Sequence, residues 1–270
     1  MTSFRVTHRT VYQFDTPIER CTVRALLRPR GTARQRVSHA GVVVMPLARR
    51  HASSVDHFGN LIDSFELDEK LRRLEVVGHS VVELGTAGGG AEPDAAPFAE
   101  PSAADAPARD ATIWAWAAQH LPDLAPTPIQ TAALMAQLRR DFVYDPSVSV
   151  VGEPLDRLFA RCRGACQDFA RLAIACLRVR GIPCRYVIGY VDPQDRPHRA
   201  ERTLAHAWLA AWFPDSAWVE FDPTNGIDPA GRHIVLGWGR DQADVQPVAG
   251  DLGGAAPRQR LAVDIEVATL

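Results

Sequence analysis

The stretch that decides the fold runs from Glu153 to Val191 and reads EPLDRLFARCRGACQDFARLAIACLRVRGIPCRYVIGYV. Its first part predicts a short helix that breaks at Gly164, and a second helix follows through about Arg180. Gly181 stops that helix, and the β-branched and aromatic side chains after it predict a strand. The stretch therefore predicts a helix that starts at a glycine break and leads into a sheet.

Two further strands are predicted after this stretch. Residues 202–213 read RTLAHAWLAAWF, residues 216–226 read SAWVEFDPTNG, and a short polar turn joins them. Both segments are rich in the aromatic and β-branched side chains that favour strands. A helix that feeds antiparallel strands predicts an α+β fold.

The chain before this core divides into two parts by composition. Residues 1–85 contain strand-like runs separated by turns, which predicts a mostly antiparallel β domain. Within it, Gly59 and Asn60 lie between two such runs and are predicted to form a hairpin turn. Residues 86–110 are rich in alanine, glycine, proline and acidic side chains and are predicted to be a linker. Residues 111–270 would then form the second domain.

Overall composition limits the partners and the location. The chain has 270 residues, of which 46% are hydrophobic and 23% are charged, and its formal net charge is −2. It lacks the basic field that draws proteins to nucleic acids or anionic membranes, so neither partner is predicted. The sequence has no apolar run of the kind found in signal peptides or membrane spans, which predicts a cytoplasmic location. The oligomeric state stays open.

One of the five cysteines is predicted to be chemically reactive. An odd number of cysteines without an export signal favours reduced thiols. Cys166 lies in the first turn of the predicted second helix, where unpaired amides and the helix dipole favour a thiolate. Gly164 and Ala165 are small enough to let a substrate approach. Cys176 and Cys184 lie in apolar surroundings that predict packing, which is also the commoner role of a lone cysteine.

A histidine and a carboxylate follow Cys166 on the two predicted strands. His206 begins the first strand, and Asp222 ends the second. A short reversal would place imidazole and carboxylate side by side, in the order nucleophile, base and orienting group. Taken singly, His206 could be a structural strand residue and Asp222 a turn residue before Pro223.

Metal and cofactor sites are not predicted. Cys162 and Cys166 could join His198 or His206 around zinc, but a second ligand pair with the usual spacing does not accompany them. The sequence carries no clustered acidic loop of the EF-hand type, so calcium is not expected to be required. Phosphate loops and dinucleotide fingerprints are missing as well.

Several motifs together resemble one family. The segments GACQDFA (164–170), HAW (206–208), FDPTN (221–225) and HIVLGWGRDQADVQPVAG (233–250) are similar to the catalytic core and tail of the bacterial transglutaminase-like family. The segments VYQFDTPIERCTVRALLRPR (11–30) and DHFGN (56–60) are similar to its N-terminal β domain. The resemblance implies a papain-type core in residues 111–270 with a C-terminal β extension. It also implies a triad of Cys166 as nucleophile, His206 as base and Asp222 as orienting group.

The expected chemistry is acyl transfer on amide or peptide bonds through a thioester on Cys166, with a protein or peptide substrate. The backbone amide of Cys166 is the first candidate for the oxyanion hole, and Gln167 or Tyr144 is the second. Trp208 and Trp212 share one face of a strand, which suits a cleft wall or a core equally. Hydrolysis is slightly favoured over amine crosslinking, and a non-catalytic peptide-binding module that uses the same cleft is the alternative.

Overall fold

Antiparallel strands build the N-terminal part of the protein. The structure is a computed structural model that describes residues 2–85, 98, 111–123, 126–192, 205–251 and 258–270. In the second strand the side chains alternate between buried and exposed, as expected when one face of a sheet covers a core. The strands of this part are β1 (Thr2–Ile18), β2 (Cys21–Ala25), β3 (Gln35–Met45), β4 (Arg50–Val55), β5 (Leu61–Leu67) and β6 (Leu71–Leu84).

The last two strands of the chain return to this N-terminal part. β13 (Val248–Asp251) pairs with β2, and β14 (Gln259–Thr269) pairs with β1, both antiparallel. In the described residues the two sheets have the orders β14-β1-β6-β3 and β13-β2-β5-β4. The predicted C-terminal β extension is therefore hydrogen-bonded to the sheets of residues 1–85. The linker predicted for residues 86–110 lies outside the described residues except for Phe98, and the division into three parts stays a prediction.

Helices and a four-stranded sheet form the second part, together with a short parallel pair of strands, so the predicted α+β fold is confirmed. The sheet has the order β11-β10-β9-β12 and is antiparallel throughout. Within the described residues, no helix is both long enough and apolar enough to cross a membrane. The elements are α1 (Ala111–His120), α2 (Pro128–Asp141), β7 (Val143–Tyr144), α3 (Leu155–Arg161), β8 (Arg163–Gly164), α4 (Cys166–Arg178), β9 (Cys184–Val191), β10 (His206–Phe213), β11 (Ala217–Phe221) and β12 (His233–Gly239).

Helix α4 is the central element of the second part. It packs against β9 and β10 on one side and against the other three helices on the other. Phe169, Leu172, Ile174 and Leu177 are almost completely buried, and each large apolar side chain of this kind contributes about 1.5–3 kcal/mol by leaving water. The first turn of α4 is therefore held in a fixed position relative to the sheet.

Two side-chain amides join the N-terminal part to strand β12. Gln35 donates to the carbonyl oxygen of Val235 at 2.7 Å and accepts from its N–H at 2.8 Å. Asn60 pairs in the same way with Trp238, at 2.8 and 3.0 Å. Gly59 has a positive φ of 80°, as its predicted turn requires. Asn60 has a second role that the turn prediction missed, because its completely buried side chain docks one part of the protein on the other.

Replacement of Asn60 by alanine is expected to destabilise the whole protein. The change leaves the N–H and carbonyl groups of Trp238 buried without their partner, and Arg30 loses an acceptor at 2.7 Å. Each unsatisfied buried group costs about 1–3 kcal/mol, so we expect a loss of about 2–4 kcal/mol in the free energy of unfolding. Urea denaturation measures it, with the exposed neighbour His57→Ala as control. Equal midpoints for the two variants would contradict the docking role.

Candidate active site

Strand β8 and the residue after it set the start of helix α4. Ala165 is the N-cap, and its N–H donates to the Asp168 carboxylate at 2.9 Å. A Cβ atom at Gly164 would lie only 2.6 Å from that carboxylate. The small size of Gly164 therefore makes room for the cap, a role that sequence reasoning did not indicate, and its part in substrate approach stays a prediction. Asp168 is completely buried and stabilises the turn that carries Cys166.

The first backbone amides of α4 face the reactive position. In any helix the first N–H groups have no partner within the helix. The N–H groups of Asp168 and Phe169 both donate to the Ala165 carbonyl oxygen, at 3.0 and 3.1 Å. The amides of Cys166 and Gln167 precede them, and both residues line the same cavity. This tip of the helix is suited to stabilise a negative charge.

The predicted base and orienting group lie in contact. His206 begins β10, and Asp222 directly follows β11, which pairs with β10. The His206 Nε2 atom lies 2.8 Å from Asp222 Oδ2, and both side chains are buried. Cys166 lines the same cavity as His206, and its thiol helps to raise the pKa of His206. Because Nε2 is occupied by Asp222, Nδ1 is the ring nitrogen left for the thiol.

The surroundings of Asp222 hold its carboxylate in place. Oδ1 accepts from the backbone N–H groups of Thr224 and Asn225, both at 2.9 Å. Oδ2 accepts from the side chains of Asn225 and His233, both at 2.8 Å, in addition to His206. Sequence reasoning missed Asn225 and His233. The DPTN turn could have indicated Asn225, since an aspartate that begins a turn binds the next amides, whereas His233 has no local signal.

This arrangement favours a charged imidazole. Burial of His206 lowers its pKa, but the Asp222 carboxylate and the Cys166 thiol outweigh burial and raise that pKa above the ordinary value of 6.5. Burial likewise raises the pKa of Asp222, but His206 and His233 outweigh it and hold that pKa well below 3.8. An ionised Asp222 beside a protonated His206 is therefore the favoured state, which is what a thiolate–imidazolium pair requires.

The same three residues also have the composition of a metal site. The donor atoms of His206, Asp222 and His233 lie within 4.8 Å of one another. Both imidazole Nε2 atoms lie 2.8 Å from one carboxylate oxygen, which is a hydrogen-bond distance. We interpret the cluster as a hydrogen-bonded group. His198, which belonged to the alternative zinc site, lies outside the described residues.

A cavity of about 420 Å³ opens beside Cys166 and His206. Tyr144 and Gln167, the two predicted oxyanion donors, both line it. The Gln167 side-chain nitrogen donates to Ser149 at 2.8 Å, and its oxygen accepts from Gln242 at 2.7 Å. The Gln167 side-chain amide is therefore already engaged in a polar network, and the backbone amides at the tip of α4 and Tyr144 are the other oxyanion candidates at this cavity.

The two predicted cleft tryptophans do not line this cavity. Trp208 is completely buried, stacks edge-on against His233 and donates to Glu220 at 2.8 Å. Trp212 packs edge-on against Trp218, with 5.6 Å between the ring centroids. The prediction of a tryptophan cleft wall is therefore wrong. Both residues lie on the face of β10 that points away from α4, and that face is covered by a second apolar cluster.

Known proteins show the same organisation. The model for the transglutaminase-like superfamily matches residues 117–223, and that for the bacterial transglutaminase-like N-terminal region matches residues 4–83. An uncharacterized protein of Mycobacterium leprae is 32% identical over an alignment of 289 positions, which covers 99% of this chain and 97% of the relative. A protein-glutamine gamma-glutamyltransferase of Pseudomonas aeruginosa is 32% identical over 111 residues, covering 37% of this chain and 17% of that protein.

One solved structure has the same fold over the whole chain. It is described as a candidate cysteine protease of Cytophaga hutchinsonii, with a TM-score of 0.78, 19% identity and coverage of 100% of this chain and 91% of the other. A cysteine at a helix tip, facing a histidine on a sheet, defines the class of papain-type folds that support cysteine-based catalysis. The chain belongs to the transglutaminase-like superfamily and carries its bacterial N-terminal region.

Proposed function

We propose that this protein transfers acyl groups from amide or peptide bonds to water through a thioester on Cys166. The observation that carries the proposal is the position of His206, which is hydrogen-bonded to the Asp222 carboxylate and lines one cavity together with Cys166. The substrate would be a protein or peptide. The cytoplasmic location and the expected lack of nucleic-acid and membrane partners stay predictions.

The residues support a two-step reaction. His206 takes the thiol proton, and the Cys166 sulfur attacks the carbonyl carbon, whose oxygen gains negative charge near the amides of α4. The imidazolium gives its proton to the departing amine, which leaves a thioester. His206 then removes a proton from water as the water oxygen attacks the thioester. The free acid departs, and the proton returns to the Cys166 sulfur.

Two features bear on the choice between water and an amine as acceptor. Amine transfer requires a channel that keeps water out, usually lined by aromatic side chains. Trp208 lies in the core, Trp212 packs on Trp218, and neither lines the cavity, to which Ser149, Thr224 and Gln242 bring polar groups. The Pseudomonas relative is named for transfer from glutamine, which supports an amide donor here. The polar lining of the cavity favours water as the acceptor, whereas the name of the relative bears only on the donor.

Competition between the two acceptors tests the proposal. A peptide thioester is supplied to the protein with rising concentrations of a primary amine, and both products are followed by mass spectrometry. We expect an acyl-enzyme on Cys166 and more acid than amide at sub-millimolar amine. An excess of the amide product would show that the protein prefers an amine to water as acceptor. The thioester on Cys166 would still be the intermediate.

The non-catalytic alternative is tested by thiol reactivity in the same protein. Cys162 is exposed, whereas Cys166 is half-buried, so simple access favours alkylation of Cys162. A nucleophile activated by His206 should nevertheless react faster with iodoacetamide at neutral pH. Peptide mapping after partial alkylation compares the two sites. If Cys166 reacted no faster than Cys162, the peptide-binding module would be the better interpretation.

A further inference from the structure

The N-terminal part supplies one wall of the catalytic cavity. Strand β1 contributes Thr10 and Tyr12, and its partner β14 contributes Leu261 and Val263. In the register of these strands Thr10 lies opposite Val263, and Tyr12 lies opposite Leu261. Directly opposite side chains lie on the same face of a sheet. The wall is therefore a continuous, largely apolar surface that carries the hydroxyl groups of Thr10 and Tyr12.

A buried chain of hydrogen bonds ends at the Thr10 hydroxyl. The Tyr190 hydroxyl lies 3.0 Å from His8 Nδ1, and His8 Nε2 lies 3.2 Å from Thr10 Oγ1. All three residues are at least 97% buried. Tyr190 belongs to β9 of the catalytic sheet, so the chain connects the two parts of the protein.

Both titratable groups of this hydrogen-bonded chain are uncharged at pH 7. Burial raises the pKa of Tyr190 well above its ordinary value, so the hydroxyl keeps its proton. Burial lowers the pKa of His8 to about 4, so the ring is neutral at pH 7 and carries one N–H. In the tautomer that carries the ring proton on Nε2, Tyr190 donates to Nδ1 and His8 donates to Thr10 Oγ1. That tautomer leaves the Thr10 proton to be donated, and the donor role of Thr10 depends on it.

Within the described residues, the Thr10 hydroxyl has no other protein partner, and it lies at the surface of the cavity. The described residues that line the cavity include no aspartate, glutamate, lysine or arginine. An ionised substrate group would therefore lose its hydration at this wall without gaining a charged partner. The wall therefore suits an uncharged, apolar side chain that lies beside a carbonyl group able to accept a hydrogen bond.

We propose that Thr10 binds the acyl donor by donating a hydrogen bond to a peptide carbonyl oxygen, while Tyr12, Leu261 and Val263 hold an uncharged, apolar side chain. The N-terminal part would then select the substrate. This inference rests on the proposed function, because it assigns a binding group to the same cavity.

Two synthetic peptide thioesters test the inference. They share the reacting carbonyl and differ in having leucine or aspartate beside it. The native protein should prefer the leucine peptide by at least about tenfold in kcat/KM, since an unpaired charge at an apolar wall is costly. Equal rates for the two peptides would overturn the assignment of an uncharged side chain to this wall.

Thr10→Val keeps the shape of the side chain and removes the hydroxyl. We expect kcat/KM for the leucine peptide to fall about tenfold, the effect of losing one hydrogen bond, and Thr10→Ser should recover most of it. Iodoacetamide, which is too small to reach the wall, should alkylate Cys166 at the native rate in both variants. A native kcat/KM in Thr10→Val would overturn the role of Thr10.

Tyr190→Phe removes the hydroxyl at the buried end of the hydrogen-bonded chain, and Tyr190 does not line the cavity. The variant loses the proton donor to His8 Nδ1, so kcat/KM should fall several-fold while alkylation stays native. If Thr10→Val also slowed the alkylation of Cys166, Tyr190→Phe would be the deciding variant. An unchanged kcat/KM in Tyr190→Phe would then refute the role of the Tyr190–His8–Thr10 hydrogen bonds. Failure of the proposed function looks different, since then no peptide thioester would acylate Cys166 in the native protein.

Discussion

Cys166→Ala is expected to abolish acyl transfer and to leave the fold intact. The thiol is half-buried at the tip of α4, and the cap made by Asp168 does not depend on it. Alanine is a good helix residue, so the helix should start at the same place. We expect turnover of a peptide thioester to fall at least about a thousandfold, because the nucleophile is lost. Thermal unfolding by circular dichroism should stay close to that of the native protein.

The chain offers its own matched controls for this change. Cys176 and Cys184 are completely buried, and burial raises the pKa of each thiol to about 12, so neither is a nucleophile. Replacing either by alanine leaves a small cavity, which should cost about 1 kcal/mol of stability and little activity. The same loss of activity in all three variants would mean that unfolding, and not loss of the nucleophile, explains the Cys166 result.

The local part of the candidate site could be predicted from the sequence. The helix that begins at Cys166 follows from a glycine break and an apolar pattern, which act over a few residues. The pairing of His206 with Asp222 follows from two strands joined by a short turn, as the observed register shows. Each of these features depends on neighbours along the chain, which is why the pattern was sufficient.

Contacts between distant parts of the chain could not be predicted in this way. His233 reaches Asp222 because β12 pairs with β9, and β14 joins β1 across almost the whole length of the protein. Period-two spacing places Trp208 on one face of β10 but does not say what covers that face. Here an apolar cluster covers it, whereas Ala207, on the opposite face, lines the cavity.

The N-terminal β domain shows the same limit in its polar residues. Asn60 has the sequence context of a turn residue, and Gln35 lies at the start of a strand. Their side chains nevertheless replace a neighbouring strand along the edge of β12. An edge strand has unpaired N–H and carbonyl groups that must find partners when buried. That requirement becomes visible only once the two parts are seen together.

Asp222→Asn should reduce turnover by about a hundredfold to ten-thousandfold, because it mis-sets the tautomer of His206. Oδ1 accepts two backbone N–H groups, so the amide oxygen of asparagine would take that place. The amide nitrogen would then face the Nε2 atoms of His206 and His233, where it needs acceptors. His206 would carry its proton on Nδ1 and could no longer accept the proton of Cys166.

The same variant should change the pH dependence in a defined direction. Asp222 raises the pKa of His206 above 6.5, so in the native protein the imidazolium persists as the pH rises past that value. Removing the carboxylate lowers that pKa, and the alkaline limb of kcat/KM should move to lower pH. His233→Phe keeps the Asp222 carboxylate and its contact with His206. In this variant kcat/KM should therefore fall at a higher pH than in Asp222→Asn. Profiles of the native protein and both variants, measured with one peptide thioester, make the comparison. An alkaline limb in Asp222→Asn at the native position would show that the charge of Asp222 does not control His206.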